Sequence, residues 1–142
     1  MEKAFEFKIE DKDRKSKWKQ IEILESQTLG QFDMIIRKAF SHDLHDHLSE
    51  FFRGKVFDHT GFGEIEPGGT GIGSKIRIAQ IGLKLTDSLE YIYDYGSSSY
   101  KTITLMGIKE ASTTNTYPFI AKESKPRNTY CKSCKEGGIK TK

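Results

Sequence analysis

Two stretches hold the side chains best suited to chemistry: Cys131-Lys132-Ser133-Cys134 and His42-Asp43-Leu44-His45-Asp46-His47. A Cys-x-x-Cys spacing lets two thiolates reach one tetrahedral metal, so Cys131 and Cys134 offer half of a zinc site. His42 and His45 are the first candidates for the other half, with His47 beside them and His59 further along the chain. Such a site is expected to be structural rather than catalytic. The same thiols would suit a redox dithiol if they opened a helix after a strand, a pattern this segment lacks. With neither partner they are ordinary reduced thiols. The histidines, with Asp43 and Asp46, also offer acid–base groups, because imidazole titrates near neutral pH. No serine or cysteine nucleophile is identifiable as their partner, which disfavours catalysis.

A second kind of chemistry is electrostatic. Lys12, Arg14, Lys15, Lys17 and Lys19 surround Trp18, and the end of the chain holds Lys122, Lys125, Arg127, Lys132, Lys135, Lys140 and Lys142 against Glu123 and Glu136. Cations neutralise phosphates, and the faces of Trp18 and Tyr130 can stack on bases. Lys12, Arg14, Lys15, Lys17, Trp18, Arg127 and Tyr130 are therefore the candidate contacts to nucleic acid or to an acidic protein. Solvated loops carry such runs too, and a strand tryptophan commonly serves the core. A third segment, Gly68-Gly69-Thr70-Gly71-Ile72-Gly73-Ser74-Lys75, resembles a phosphate-binding loop in composition only. That loop needs Ser or Thr after the lysine, and here Ser74 precedes Lys75.

Length and composition bound these options. The chain has 142 residues and a formal charge of +3, with 35% hydrophobic and 30% charged residues. That suits one domain with one core. No apolar run approaches the ~20 residues a membrane span needs, and none matches a signal peptide, so the default expectation is a cytoplasmic protein with no membrane partner. Two cysteines are too few for a secreted disulfide scaffold.

The elements that must position these residues follow from periodicity. Phe5, Phe7 and Ile9 alternate with Glu6 and Lys8, and Ile21 and Ile23 with Gln20 and Glu22, which predicts two antiparallel strands joined by a charged turn. Leu29, Phe32, Ile35, Ile36, Ala39 and Phe40 recur at helical spacing over 28–40. Thr28 and Gln31 form a capping-box pattern, and Arg37 and Lys38 are expected to face the helix dipole. His47 to Phe52 reads as a strand, with Gly54 as a turn and Val56-Phe57 after it. Residues 60–74, rich in glycine, read as a long mobile loop. One helical turn is expected within Ile76 to Gly82. Tyr91-Ile92-Tyr93-Asp94-Tyr95-Gly96-Ser97-Ser98-Ser99-Tyr100-Lys101-Thr102-Ile103-Thr104-Leu105 reads as a hairpin ended by Gly107, with Asp94, Thr102 and Thr104 on a wet face. Tyr117 to Ala121 reads as a last strand, placed at an edge by Pro118.

Several landmarks also share an order: Trp18-Lys19-Gln20-Ile21, the helix from Leu29, His47-Leu48 with Phe51, Tyr93-Asp94-Tyr95-Gly96, and Cys131 and Cys134 with Gly137-Gly138. This order resembles the plasmid pRiA4b ORF-3-like family, over roughly residues 4 to 138. The resemblance implies an α+β domain and a family without an established activity. The family pattern follows Tyr-Asp-Phe-Gly with Asp, then Trp and His, where this chain has Ser97, Ser99 and Lys101. The family's His-Leu-His becomes His47-Leu48-Ser49. Only Asp94 and His47 carry over, so an enzyme would need those two to meet in a cleft.

The expectation is a single α+β domain over residues 1–124, followed by a basic Cys-x-x-Cys tail over 125–142. A mostly antiparallel sheet of about five to seven strands carries one main helix on one face. The leading functional expectation is a non-enzymatic binding module for nucleic acid or an acidic protein. A zinc site is the alternative.

Overall fold

Alternation organises the first two strands as the sequence predicts. The computed structural model describes residues 2–12, 17–40, 42, 47–53, 61–66, 68–93 and 99–124. Arg14, Lys15, His45, His59, Asp94, Arg127, Tyr130, Cys131 and Cys134 lie outside these residues. So do Gly54, Val56-Phe57, the Gly96 turn and the tail over 125–142. β1 (Lys3–Asp11) and β2 (Trp18–Leu24) pair antiparallel, with Phe5 opposite Ile23 and Phe7 opposite Ile21. The Asp11 N–H donates to the Lys17 carbonyl at 3.1 Å and closes the pair.

The main helix, α1 (Leu29–Ala39), starts at the capping box. The Thr28 hydroxyl accepts from the Gln31 N–H, and the Gln31 side chain accepts from the Thr28 N–H at 2.9 Å. Each of these N–H groups would otherwise have no intrahelical partner. Leu29, Phe32 and Ile36 point into the core. β3 (Ser49–Phe52), a short helix α2 (Ile78–Ile81), β4 (Ser88–Tyr93), β5 (Ser99–Glu110) and β6 (Phe119–Glu123) complete the elements, with a 3₁₀ turn at Ile72–Lys75. The sheet order is β3-β4-β5-β1-β2-β6, and every neighbouring pair is antiparallel. The fold is thus α+β with a six-stranded antiparallel sheet. One face of the sheet packs on α1, where Phe32 meets Phe7 at 5.0 Å and Phe51 at 5.4 Å between ring centroids.

Two local expectations need correction. Gly107 does not end β5, which runs on to Glu110. Gly107 pairs with Glu6 beside a register shift, and Glu6 Oε1 occupies the space a Cβ at Gly107 would need. The glycine-rich segment is not a mobile loop over its described residues. Ser49 and Ile65 exchange backbone hydrogen bonds of 3.1 and 2.8 Å, Phe62 donates to Phe51, and Gly73 donates to Glu64. Ile65 is fully buried. The segment is a strap fastened to the outer edge of β3. Gly71 serves close backbone approach: it takes φ 105°, and a Cβ there would lie 2.7 Å from the Glu64 carbonyl. Arg37 and Lys38 lie in the last turn of α1 as expected, and Arg37 is wholly buried.

Gly30 gives a test of this packing. In an open helix, Gly→Ala gains about 1 kcal/mol of propensity. A Cβ on Gly30 would sit 2.7 Å from the Gly69 carbonyl and 2.9 Å from Ser74 Cβ. Crowding of that kind costs about 1–3 kcal/mol. Gly30→Ala is expected to lower the urea midpoint; a raised midpoint would show the strap yields freely.

Candidate functional site

Charged residues gather where α1 ends, β3 begins, β4 ends and β5 begins. Asp33 and Arg37 are four residues apart on α1, and both are fully buried. Arg37 Nε lies 2.9 Å from Asp33 Oδ2. Asp33 Oδ1 accepts from the Ser49 hydroxyl at 2.5 Å and from the Tyr91 hydroxyl at 2.6 Å. Arg37 Nη2 donates to Ser49 Oγ at 3.2 Å and to the His47 carbonyl at 2.8 Å. Burial pushes the Asp33 carboxyl up from its ordinary range, while Ser49, Tyr91 and Arg37 pull it back. Burial and the Asp33 charge hold the Tyr91 phenol well above its usual value, so it stays a donor.

A second layer adjoins this network. The His42 N–H donates to the Arg37 carbonyl at 2.7 Å, a bond that wraps the chain back over the helix end. Arg37 therefore fixes both His42, through its backbone, and His47, through its side chain. The His42 ring stacks on Tyr93 with centroids 4.2 Å apart, and its Nε2 lies 2.8 Å from Lys101 Nζ. Lys101 is fully buried and sits over the Phe40 ring at 4.6 Å, while Arg37 sits over Tyr93 at 5.0 Å. Burial, then the charges of Lys101 and Lys17, lowers the His42 pKa to about 4. His42 is thus neutral at pH 7, and its Nε2 accepts from the Lys101 ammonium. His47 is exposed, has φ 67°, and meets Tyr93 edge-on at 5.7 Å. That left-handed backbone is uncommon for a non-glycine residue and is held by the Arg37 bond.

The metal candidates fare differently. A zinc ion on His42 Nε2 would have to displace the Lys101 ammonium. Among the described residues no group of three His, Cys, Asp or Glu side chains could hold a metal. His45, Cys131 and Cys134 lie outside them, as does Asp94, the proposed companion of His47.

The basic candidates occupy the neighbouring corner. Lys12 is ion-paired with Glu90 and Lys19 with Glu123. Lys17 is exposed and reaches over the Phe40 ring at 5.8 Å. Trp18 is half-buried under Lys8, 5.2 Å above its ring. Its backbone N–H donates to Ser124 Oγ at 3.0 Å, and its carbonyl accepts from the Ser124 N–H at 2.9 Å.

Periodicity did not point to Asp33, Arg37, Ser49, Tyr91 or Lys101 as a site. One signal was present: Asp33 and Arg37 fall at helical spacing within the apolar stripe of Leu29, Phe32, Ile36 and Phe40. Ser49 pairs with Tyr93 and Tyr93 with Ser99; in the next row Phe51 pairs with Tyr91 and Tyr91 with Lys101.

These features define a small α+β protein with a buried ionic network at one end of its sheet. The chain belongs to the plasmid pRiA4b ORF-3-like family, whose model matches residues 3–129. Its fold is similar to the crystal structure of a protein of unknown function, MM3350, from Methanosarcina mazei Go1. The TM-score is 0.70 and the identity 20%, covering 87% of this chain and 70% of that one. At that identity the likeness extends to the fold alone. No protein of curated function matches the chain.

Two measurements probe the site. Arg37→Ala strands the Asp33 carboxylate in the core and is expected to cost about 3–5 kcal/mol in urea unfolding. An Asp33→Leu, Arg37→Met double variant should recover much of that loss, and a single-variant cost below ~1 kcal/mol would deny the pair its role. The His42 sign follows from linkage. Unfolded, His42 takes a proton near pH 6.5; folded, only near pH 4. Its contribution to stability is therefore complete above pH 6.5 and lost as pH falls towards 4. Thermal melts of wild type and His42→Gln should diverge across that window, and parallel curves would contradict the assignment.

Proposed function

We propose that this protein is a binding module for nucleic acid, with the basic corner at the β1–β2 turn as its contact surface. The observation that carries the reading is the two-way hydrogen bonding between Trp18 and Ser124. It joins the roots of the two basic segments of the sequence. Asp11 and Lys17 close the hairpin, and Lys12, Arg14 and Lys15 fall between them in the sequence. Arg127 follows Ser124 by three residues, and chain length alone limits it to ~10 Å from that residue; Tyr130 is limited to ~20 Å.

The existing ion pairs do not bar such a role. Lys12 is exposed although its partner Glu90 is half-buried, so a phosphate can reach the lysine and compete for it. The half-buried Trp18 and, in sequence, Tyr130 supply aromatic faces for stacking. The same cations suit an acidic protein, and Trp18 separates the two partners, because stacking matters only for bases.

The test is fluorescence anisotropy with labelled single-stranded and duplex oligonucleotides over a salt series. Affinity should fall steeply with salt. Arg14→Glu with Lys15→Glu should weaken binding about tenfold or more and reduce the salt slope by about 1–2. Trp18→Leu should cost about 1–3 kcal/mol on single strands if bases stack there. Absent binding at low salt, or binding indifferent to salt, would overturn the reading. Binding to polyglutamate alone would identify an acidic protein as the partner.

A further inference from the structure

An open groove of about 280 Å³ is lined by Gln31, Met34, Ile35 and Lys38 of α1 together with Pro118. Pro118 immediately precedes β6, and β6 contacts α1. β6 ends the sheet, so among the described residues no strand pairs with its outer side. A strand edge beside a helix-lined apolar groove is a recurring arrangement for capturing an extended peptide. The edge supplies main-chain hydrogen bonds and the groove selects a side chain.

We propose that this groove binds an extended acidic segment of a partner protein. The segment adds to the outer edge of β6 and places one apolar side chain between Met34, Ile35 and Pro118. Charge complementarity fixes the chemistry. The groove lining contains a cation, Lys38, and no carboxylate. Lys38 and Lys122 are both exposed, and the nearby Glu123 is already paired with Lys19. The volume suits a single large side chain rather than the ~300–1,000 Å³ of a small-molecule pocket.

Register argues against a second copy of this chain as the occupant. Gln20 pairs with Lys122 and Ile21 with Ile120, which leaves Ala121 as a bulge in β6. A bulge interrupts an edge and discourages long strand-to-strand assembly, while leaving room for a short segment. This groove is separate from the basic corner, and the inference stands whether or not nucleic acid binds there.

The test selects short linear peptides from a displayed random library against the full chain, then titrates the selected peptide into isotope-labelled protein. Selected peptides should be acidic with a large apolar residue, and shift changes should concentrate in α1 and β6. Met34→Glu and Lys38→Glu should each weaken binding about tenfold. Lys38 is exposed, so that variant decides the matter if Met34→Glu disturbs folding. Failure to select any peptide, or selected peptides that bind Lys38→Glu as tightly as wild type, would overturn the proposal. Shift changes confined to the β1–β2 turn would overturn it too, while leaving the basic corner as a binding surface.

Discussion

The buried pair of Asp33 and Arg37 is the constraint on which one end of the molecule depends. Two charges taken out of water lose several kcal/mol of solvation each, and their mutual attraction alone does not reliably restore it. Here groups from other elements bond to both partners, although Asp33 Oδ2 and Arg37 Nε meet each other only as an ion pair. Asp33 takes hydroxyl protons from Ser49 on β3 and Tyr91 on β4. Arg37 holds the His47 carbonyl through its side chain and the His42 N–H through its own carbonyl. The pair therefore binds helix to sheet by direction as well as by burial. That matters most for β3, a strand of four residues, because a slip of one residue would exchange its buried and outward faces. Asp33 and Ile65 hold Ser49 from two sides, and that register follows.

The layer beside it solves a related problem with other means. Lys101 lies wholly inside, on the same strand face as Ile103 and Leu105. An ammonium there needs both an acceptor and a polarisable wall. Neutral His42 supplies the acceptor, and the Phe40 ring supplies a face rich in negative charge density. The arrangement is self-consistent: the lysine helps keep the imidazole neutral, and the neutral imidazole accepts from the lysine. His42 is delivered by the ending of α1 and Lys101 by the register of β5, so the contact depends on helix and sheet together.

Local pattern carried much of this fold. Alternation located β1 and β2, and the apolar stripe with Thr28 and Gln31 located α1 and its start. Pro118 marked the edge strand. What escaped was information carried by contacts between distant segments. Gly71 and Gly107 have meaning only beside the Glu64 carbonyl and the Glu6 side chain, so a reading along the chain sees breakers where the fold uses clearance. Arg37 satisfied a rule about helix ends, yet burial against Asp33 decided its place. Lys101 alternated with Ile103 and Leu105 and shares their buried face, against the general expectation that lysine stays in water. The candidate cations were legible as composition, but Trp18 and Ser124 are 106 residues apart, and their adjacency is a property of the sheet.

Burial also separates the charges built into the scaffold from those left at the surface. Ser49 and Lys101 are both fully buried. A side chain without exposed surface cannot meet a partner directly. In this chain those positions act on the scaffold: Ser49 joins Asp33 to Arg37, and Lys101 is stacked on Phe40 beside His42. His47 remains exposed, but its backbone is committed to Arg37. Other charged residues are accessible and inexpensive to redirect. Lys12 and Lys17 at the β1–β2 turn, and Lys38 beside the β6 groove, meet that condition because surface pairing holds a lysine by no more than about 1 kcal/mol. The ionic core ties α1 to β3 and β4, while the exposed cations lie outside that network.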